Sequence, residues 1–315
     1  MSRPRDDEFV FNIVWTGTVF PYLRAFVASQ IAQSGARFRF VVNGCPPEQV
    51  GLIEAFAARH AERVVEVLDV SEEMVAHGVA LDRVRARRDD GPYFCLIDPD
   101  IKAKAPFVST FADVLAGGAD AVTSGKEVWS DDNLIPVGHP GVAGEHFFDR
   151  KGFVFGSPHL ALYDRDALDD TTARWGVGLG SAGNDVSAAG KAKLAEMGHD
   201  YIVYDTGKIV NALFQGDGHH LVHEDLPQLI HIGGLSHYLS PASYITLDGE
   251  EVPEWVRYGV NDRFHVTKFA GLTLRELCDG RPAPPVPSGL DPVMAAKLTL
   301  VQEEMADLIA TYADW

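Results

Sequence analysis

The chain has 315 residues, of which 46% are apolar, so it is long and apolar enough to bury a substantial core. Its formal net charge of -18, from 45 acidic and 27 basic residues, argues against nucleic acid as a partner, because neutralising phosphates requires clustered Lys and Arg. The first eight residues are polar and charged, and no run reaches the ~20 apolar residues of a membrane span. These features predict a globular, cytoplasmic protein with no integral membrane segment.

The first hundred residues alternate between apolar, β-rich runs and segments with helical patterning. Strands are predicted over residues 10–15, 38–42, 63–68 and 93–97. The helices predicted between them span residues 21–34, 46–61 and 72–88. Continuous apolar strands that alternate with helices imply a mostly parallel sheet that is covered on both faces, in the Rossmann-like manner.

The pattern becomes less regular beyond Thr123. Residues 124–152 form a long stretch rich in Gly, His and Asp, and long loops of this kind are usually functional or disordered. We expect this stretch, with Trp129, His139 and His146, to close over the substrates and exclude water. The later elements predicted are strands at 159–163 and 201–204, helices at 188–197 and 206–214, and a strand or turn at 228–232.

The C-terminal segment has its own helical pattern. A proline-rich linker, 281–288, precedes a helix that is capped by Asp291 and has Pro292 as its first residue. The apolar stripe of this helix consists of Met294, Leu298, Val301, Met305, Leu308 and Tyr312. The stripe packs either against its own domain or against a second copy in a homodimer, and the sequence does not separate the two.

Polar segments follow each of the four N-terminal strands. They are Thr16-Gly17-Thr18, Asn43-Gly44-Cys45, Asp69-Val70-Ser71 and Asp98-Pro99-Asp100. Ligands of parallel sheets sit at the carboxyl ends of strands, so these segments are expected to line one crevice. No G-x-G-x-x-G follows the first strand and no G-x-x-x-x-G-K-[ST] occurs, which disfavours a dehydrogenase or a P-loop kinase.

The Asp98-Pro99-Asp100 segment indicates a metal site. Two carboxylates separated by one residue can both face the crevice if Pro99 makes a turn that breaks the strand pleat. Mg²⁺ or Mn²⁺ prefers oxygen ligands and keeps positions open for a diphosphate. A turn with two solvated aspartates is the alternative, but the position directly after an apolar strand favours Asp98 and Asp100 as metal ligands.

Two neighbouring stretches resemble a known family. His77-Gly78-Val79-Ala80-Leu81-Asp82, followed by Tyr93-Phe94-Cys95-Leu96-Ile97-Asp98-Pro99-Asp100-Ile101, resembles the helix start, fourth strand and D-x-D motif of GT-A glycosyltransferases, especially family-2-like bacterial enzymes. The resemblance extends from Val10 to about Leu239 and excludes the C-terminal tail. It implies an α/β GT-A fold, with a mostly parallel sheet flanked by helices. The C-terminal helical extension is predicted from its own cap and apolar stripe.

The resemblance also implies an activity and a division of the chain. The expected reaction moves a sugar from a nucleoside diphosphate sugar, UDP-linked, to a hydroxyl of a small-molecule or glycan acceptor, with Mn²⁺ or Mg²⁺ as cofactor. Inversion at the anomeric carbon is favoured over retention. Residues 1–125 are expected to bind the nucleotide sugar and residues 126–280 the acceptor, within one GT-A domain, and residues 281–315 form the linker and C-terminal helix.

Specific residues are implied by the same resemblance. The positions expected to surround the nucleotide are Thr16, Gly17, Asn43, Asp69, His77, Asp82 and Asp98. Asp98 is expected nearer the ribose and sugar, and Asp100 is expected to touch the metal most directly. Many relatives carry an acidic residue where this chain has Asn43, and a solvated histidine at a helix start is the alternative for His77.

Residues 229–237, which read Leu-Ile-His-Ile-Gly-Gly-Leu-Ser-His, resemble the family's C-terminal segment, in which a histidine often completes the metal shell. His231 is the expected ligand and His237 the second choice. Neutral imidazole ligates Mn²⁺, and the flanking glycines allow the backbone to approach a diphosphate closely. A histidine packed beside a turn is the alternative.

Transfer to a hydroxyl requires a general base, usually a carboxylate in an inverting enzyme. Asp205, after the predicted strand 201–204, resembles the family's acidic residue at a helix start, with a helix N-cap as the alternative role. Asp185 is the second candidate. A sugar nucleotidyltransferase is disfavoured because Thr16 to Tyr22 contains no Lys or Arg, and a noncatalytic nucleotide-sugar-binding protein is disfavoured by the intact metal-ligand set.

Overall fold

The computed structural model describes residues 3–130, 134–135, 148–149, 152, 154, 159–181, 185–199, 206–239, 244–247, 250–253 and 261–315. Its helices are α1 (Phe20–Ala32), α2 (Pro47–Arg59), α3 (His77–Arg85), α4 (Val108–Ala116), α5 (Arg165–Trp175), α6 (Ala188–Glu196), α7 (Lys208–Gly216), α8 (Leu235–Leu239), α9 (Asn261–Cys278) and α10 (Pro292–Tyr312). Its strands are β1 (Val10–Thr16), β2 (Arg37–Asn43), β3 (Val64–Ser71), β4 (Tyr93–Ile97), β5 (Ile101–Ala103), β6 (Ala121–Ser124), β7 (Leu134–Ile135), β8 (Phe148–Asp149), β9 (Leu160–Asp164), β10 (Leu221–His223), β11 (Leu229–His231), β12 (Tyr244–Leu247) and β13 (Glu250–Pro253).

The central sheet has seven strands in the order β10-β6-β9-β4-β1-β2-β3. Strands β3, β2, β1 and β4 run parallel to one another, whereas β9 is antiparallel to both β4 and β6. Successive β1 residues alternate between two cores: Ile13 packs in one and Val14 in the other, because side chains alternate across a strand. The GT-A-like prediction of a mostly parallel sheet flanked by helices is therefore confirmed.

Up to the end of β4 the elements follow the predicted order, and α3 begins later than predicted, whereas β5, α4 and β6 were not predicted. The pattern predicts a helix from residue 72, but the helix begins at His77. The Asn43 amide donates to the Val75 carbonyl and accepts from the Val75 N–H, each at 2.9 Å. Because the N–H and the carbonyl of Val75 are both bonded to the Asn43 side chain at the end of β2, the residues before His77 stay outside the helix.

The second half contains strands whose directions the sequence leaves open. Strand β9 pairs antiparallel with β4 so that Leu160 lies opposite Ile97, which brings the start of β9 to the carboxyl end of β4. Helix α7 begins at Lys208 and has Gly207 as its N-cap, with a left-handed φ of 73°. The predicted opening of this helix by Asp205 is therefore wrong, and Asp205 itself lies outside the described residues, as does the predicted strand 201–204.

A short two-stranded sheet follows directly from the acidic turn, Asp98-Pro99-Asp100, which connects β4 to β5. Strand β5 begins one residue after Asp100 and pairs antiparallel with β11, with Ile101 opposite His231. On the other side, the buried Gln30 side chain of α1 donates to the carbonyls of Asp98, at 2.9 Å, and Ile101, at 2.7 Å. The turn between β4 and β5 is thus held by α1 and by β11.

Helix α10 has the predicted cap and the predicted buried face. The Asp291 carboxylate accepts from the N–H groups of Val293 and Met294, each at 3.0 Å. All six residues of the predicted apolar stripe are buried, and the helix packs on α1 and α9 of the same chain. This stripe is therefore covered within the chain, and the homodimer seam predicted from it is not supported.

Among the residues that the structure describes, no helix has both the length and the apolarity needed to cross a bilayer.

We predict that Gln30→Met lowers the free energy of unfolding by about 2 kcal/mol, because it removes a buried donor shared by two carbonyls and such groups cost about 1–3 kcal/mol when unsatisfied. Urea denaturation measures the loss. Gln33→Met, with a longer 3.4 Å contact to the Tyr312 hydroxyl, is the matched control and should change stability by less than about 0.5 kcal/mol. Equal losses of stability in both variants would contradict the role of Gln30 in holding the turn between β4 and β5.

Candidate functional site

The carboxyl ends of the four parallel strands lie on one edge of the sheet, as expected. The strand register places Thr16 of β1 opposite Asn43 of β2, and Asn43 opposite Ser71 of β3. Strand β4 runs parallel to β1 on its other side and ends directly before Asp98. The polar segments predicted to line one crevice therefore follow neighbouring strand ends.

Three side chains converge at this edge with ligand atoms that all lie within 4.8 Å of one another: Asp98, His159 and His231. The Asp98 Oδ2 atom is 3.2 Å from His159 Nδ1 and 4.0 Å from His231 Nε2. The two imidazole rings have centroids 4.5 Å apart. One carboxylate and two imidazoles in this arrangement are a candidate site for a divalent cation.

The remaining ring nitrogen of each histidine lies close to an oxygen atom. His231 Nδ1 is 2.7 Å from the carbonyl oxygen of Gly125, and His159 Nε2 is 2.7 Å from Oε1 of Glu127. Metal-ligating histidines usually donate their second ring N–H to a carbonyl or carboxylate, which fixes the tautomer and aims the other nitrogen at the metal. Moreover, the Nε2 atoms of His231 and His159 are both buried without a hydrogen bond of acceptable geometry. The residues present therefore fit a divalent cation.

Asp100, expected to touch the metal most directly, lies behind this group. Its side chain is 4% exposed, its Oδ1 is 3.3 Å from His231 Nε2, and its Oδ2 accepts from the Leu235 N–H at 3.1 Å. One of its oxygens is therefore already engaged by the start of α8. Direct ligation by Asp100 remains a prediction, whereas the structure groups His159 with Asp98 and His231.

The buried charges compensate one another. Burial alone raises the pKa of Asp100, but the His231 ring and the Leu235 N–H outweigh burial and lower it below its ordinary value. Burial likewise opposes ionisation of Glu127, yet the His159 charge lowers its pKa. Burial opposes protonation of His159, but the carboxylates of Glu127 and Asp98 raise its pKa well above the ordinary value. A cation that binds His159 must therefore displace a proton.

Two residues assigned to the nucleotide hold neighbouring segments instead. Asn43 is fully buried, and both ends of its amide are bonded to Val75. The Asp82 carboxylate accepts from the N–H groups of Leu179, at 2.9 Å, and Gly180, at 3.0 Å. Both side chains thus position loops beside the strand ends, and their contact with a nucleotide remains a prediction.

The other residues assigned to the nucleotide are at least partly accessible. His77 begins α3, with its Nε2 atom 3.8 Å from Asp98 Oδ1. Thr16 and Gly17 are half-buried at the end of β1, and Gly17 has a φ of 50°, which suits glycine. Asp69 is exposed, and its Oδ1 accepts from the Ser71 N–H at 3.1 Å. These four positions therefore leave side-chain or backbone surface accessible near the carboxyl ends of the strands.

The remaining sequence candidates are more scattered. His237 is exposed on α8 and does not belong to the group of three ligand atoms, so His231 is the histidine at the acidic turn. Asp185 is exposed shortly before α6. Trp129, assigned to the closing loop, is 5% exposed and packs in the core. Asp205, His139 and His146 lie outside the described residues.

Sequence reasoning missed His159 and Glu127. His159 stands at the start of the strand predicted over 159–163, and that position reaches Asp98 only because β9 is antiparallel to β4. The signal was therefore present as a polar residue at a strand start. Glu127 follows β6 and forms an isolated bridge with His231, a pairing that no local pattern indicates.

No family model and no curated protein matches the chain. A mannosyltransferase from Pyrobaculum calidifontis, in complex with GDP-Man and Mn²⁺, is 15% identical over 98% of this chain and 76% of its own, with a TM-score of 0.41. A galactosyltransferase in complex with donor and acceptor sugar analogues is 13% identical over 68% of this chain and 73% of its own, with a TM-score of 0.44. A 4-diphosphocytidyl-2C-methyl-D-erythritol synthase from Anaerococcus prevotii is 10% identical over 72% of this chain and 91% of its own, with a TM-score of 0.41. At this similarity no activity is transferred, and the fold assignment rests on the strand order of the chain itself.

We predict that Mn²⁺ affinity rises with pH by up to about tenfold per unit while His159 is protonated, because its raised pKa makes the metal compete with a proton. Isothermal titration with Mn²⁺ at several pH values near neutrality measures the slope, and buffers of different ionisation enthalpy report the released proton. An affinity that is independent of pH, without proton release, would contradict ligation by His159.

Proposed function

We propose that this chain is a metal-dependent glycosyltransferase that moves a sugar from a nucleoside diphosphate sugar, UDP-linked, to a hydroxyl of a small-molecule or glycan acceptor, with inversion. The observation that carries the proposal is the convergence of Asp98, His159 and His231 at the carboxyl edge of a mostly parallel sheet. Ligands of open α/β sheets bind at this edge, so a cation held there is placed to meet a diphosphate.

In this proposal Asp98, His159 and His231 hold the cation, and Asp100 and Glu127 support the two rings. A cation held by these residues would supply Lewis-acid neutralisation of charge on a diphosphate leaving group. Two imidazoles make the donor set softer than the all-oxygen set that Mg²⁺ prefers, which favours Mn²⁺. A chain with a net charge of -18 also needs local positive charge to bind an anionic diphosphate, and a cation supplies it.

The nucleotide is proposed to lie against Thr16, Gly17, Asp69 and His77. Their accessibility at the strand ends supports this assignment. Asn43 and Asp82 contribute by holding the loops on either side, since their polar atoms are already bonded to backbone groups. Donor binding by residues 1–125 and acceptor binding by residues 126–280 remain parts of the proposal.

The acceptor is proposed to be activated by a carboxylate. Asp205 removes the proton from the acceptor hydroxyl while the hydroxyl oxygen attacks the anomeric carbon. The nucleoside diphosphate then leaves with the bonding electrons of the broken C–O bond. Asp185, exposed near the start of α6, is the second choice for this role.

We predict that UDP with Mn²⁺ stabilises the protein by about 2.7 kcal/mol when free ligand is at ~100 times its dissociation constant, with a matching rise in melting temperature. Asp98→Asn and His231→Gln should remove the Mn²⁺-dependent part of that rise, because each removes one proposed ligand. Asp279→Asn and His219→Gln make the same chemical changes away from the ligand group and serve as matched controls. Retention of the full Mn²⁺-dependent shift in both ligand variants would refute the metal assignment.

We also predict that Asp205→Asn leaves UDP and Mn²⁺ binding intact but lowers transfer at least about 100-fold, since it removes the general base. Product analysis with a panel of UDP-sugars and acceptors, with Asp185→Asn assayed in parallel, measures the effect. A fully active Asp205→Asn variant would show that another residue is the general base. Pyrophosphate as the product would instead indicate a nucleotidyltransferase, and binding without turnover would indicate a noncatalytic protein.

A further inference from the structure

Strand β5 carries a buried lysine that is bonded to the C-terminal helix. The Lys102 side chain is 2% exposed, and its Nζ lies 2.9 Å from the Glu304 carbonyl oxygen, 2.7 Å from Glu304 Oε2 and 2.6 Å from Asp307 Oδ2. An ammonium group has three N–H donors, so three acceptors from α10 satisfy it completely. Lys104, at the end of the same segment, binds the second Glu304 oxygen at 2.5 Å.

The same strand determines where two sides of the proposed metal site lie. Asp100 directly precedes β5, and its carbonyl accepts from the Ile232 N–H at 3.3 Å. Within the pair of strands, His231 lies opposite Ile101 and Ile230 lies opposite Lys102. A shift of β5 therefore moves the acidic turn, because the two are joined in the chain. It also moves His231, because β11 is paired with β5.

These ionic contacts are not required merely to attach the helix. The apolar stripe of α10 is already buried against α1 and α9. Buried ion pairs often add no stability over an apolar pair of similar volume, because removing both charges from water is costly. What three acceptors around one ammonium do supply is a defined position for β5 along α10.

We propose that helix α10 supports the metal site, and that Lys102 and Glu304 are positioning residues that set β5 and thereby the placement of Asp98 and His231. This inference rests on the proposed metal-dependent function. It assigns a role to the C-terminal segment, which lies beyond the stretch that resembles glycosyltransferases. The helix then acts on the cation through β5 and β11, without contacting it.

The test uses Mn²⁺ alone as the probe, with binding followed by the electron paramagnetic resonance signal of the free ion, and unfolding followed in parallel. Glu304→Gln and Lys102→Met are each expected to bind Mn²⁺ about 10- to 100-fold more weakly, the range typical of residues that orient metal ligands. The neutral pair Lys102→Met with Glu304→Met should regain wild-type melting temperature but not wild-type Mn²⁺ affinity. Glu303→Gln, an exposed neighbour with the same loss of charge, is the control and should bind normally.

The outcomes separate this inference from the proposed function. If the wild type binds Mn²⁺ and the neutral pair binds it equally tightly, the ion pair serves stability alone and the positioning role is wrong, while the metal site stands. If Lys102→Met fails to fold, Glu304→Gln, which keeps an oxygen acceptor for Lys102, decides the question in the same way. If the wild type itself does not bind Mn²⁺, the proposed function fails, and the inference with it.

Discussion

The structure depends on how buried charge is compensated beside the acidic turn. Asp98, Asp100 and Glu127 bring carboxylates to one place, and His159 and His231 meet them. Burial of carboxylates without partners is costly, and here each ring stands between a carboxylate of the turn and a second acceptor, the Gly125 carbonyl or Glu127. One ring nitrogen of each histidine therefore faces the acidic turn: His159 Nδ1 lies 3.2 Å from Asp98, and His231 Nε2 lies 3.3 Å from Asp100 and 4.0 Å from Asp98. This arrangement is a candidate site for a divalent cation.

Two antiparallel strand pairs create that arrangement, one in the central sheet and one in the short sheet of β5 and β11. Strand β9 runs antiparallel to β4, so its beginning, with His159, meets the end of β4. The short strand β5 turns back from Asp100 and recruits β11, so the end of β11, with His231, meets the same point. Parallel pairing would have placed the start of β9 beside the start of β4 and the end of β11 beside the end of β5, both away from the acidic turn.

Several residues near the site act by holding backbone segments. Asn43 holds Val75 before α3, Asp82 holds residues 179–180, and Gln30 holds both sides of the acidic turn. Lys102 extends this support to α10. Asn43 was expected to contact a ligand from a strand end, but it is fully buried, and buried polar side chains are most often bonded to backbone, as it is. These residues therefore position the segments around the strand ends.

The sequence by itself determined the features that depend on neighbouring residues. Apolar strands alternating with helices, the aspartates directly after β4, and the capped α10 with its buried stripe all follow from local periodicity and capping chemistry, and the structure contains them. Only the tertiary structure decided that His159 meets Asp98, 61 residues away, and that Lys102 meets Glu304, 202 residues away. Such contacts depend on strand direction and on which helix covers which face, because these are set by packing of the whole chain and leave no periodic trace in the residues that make them.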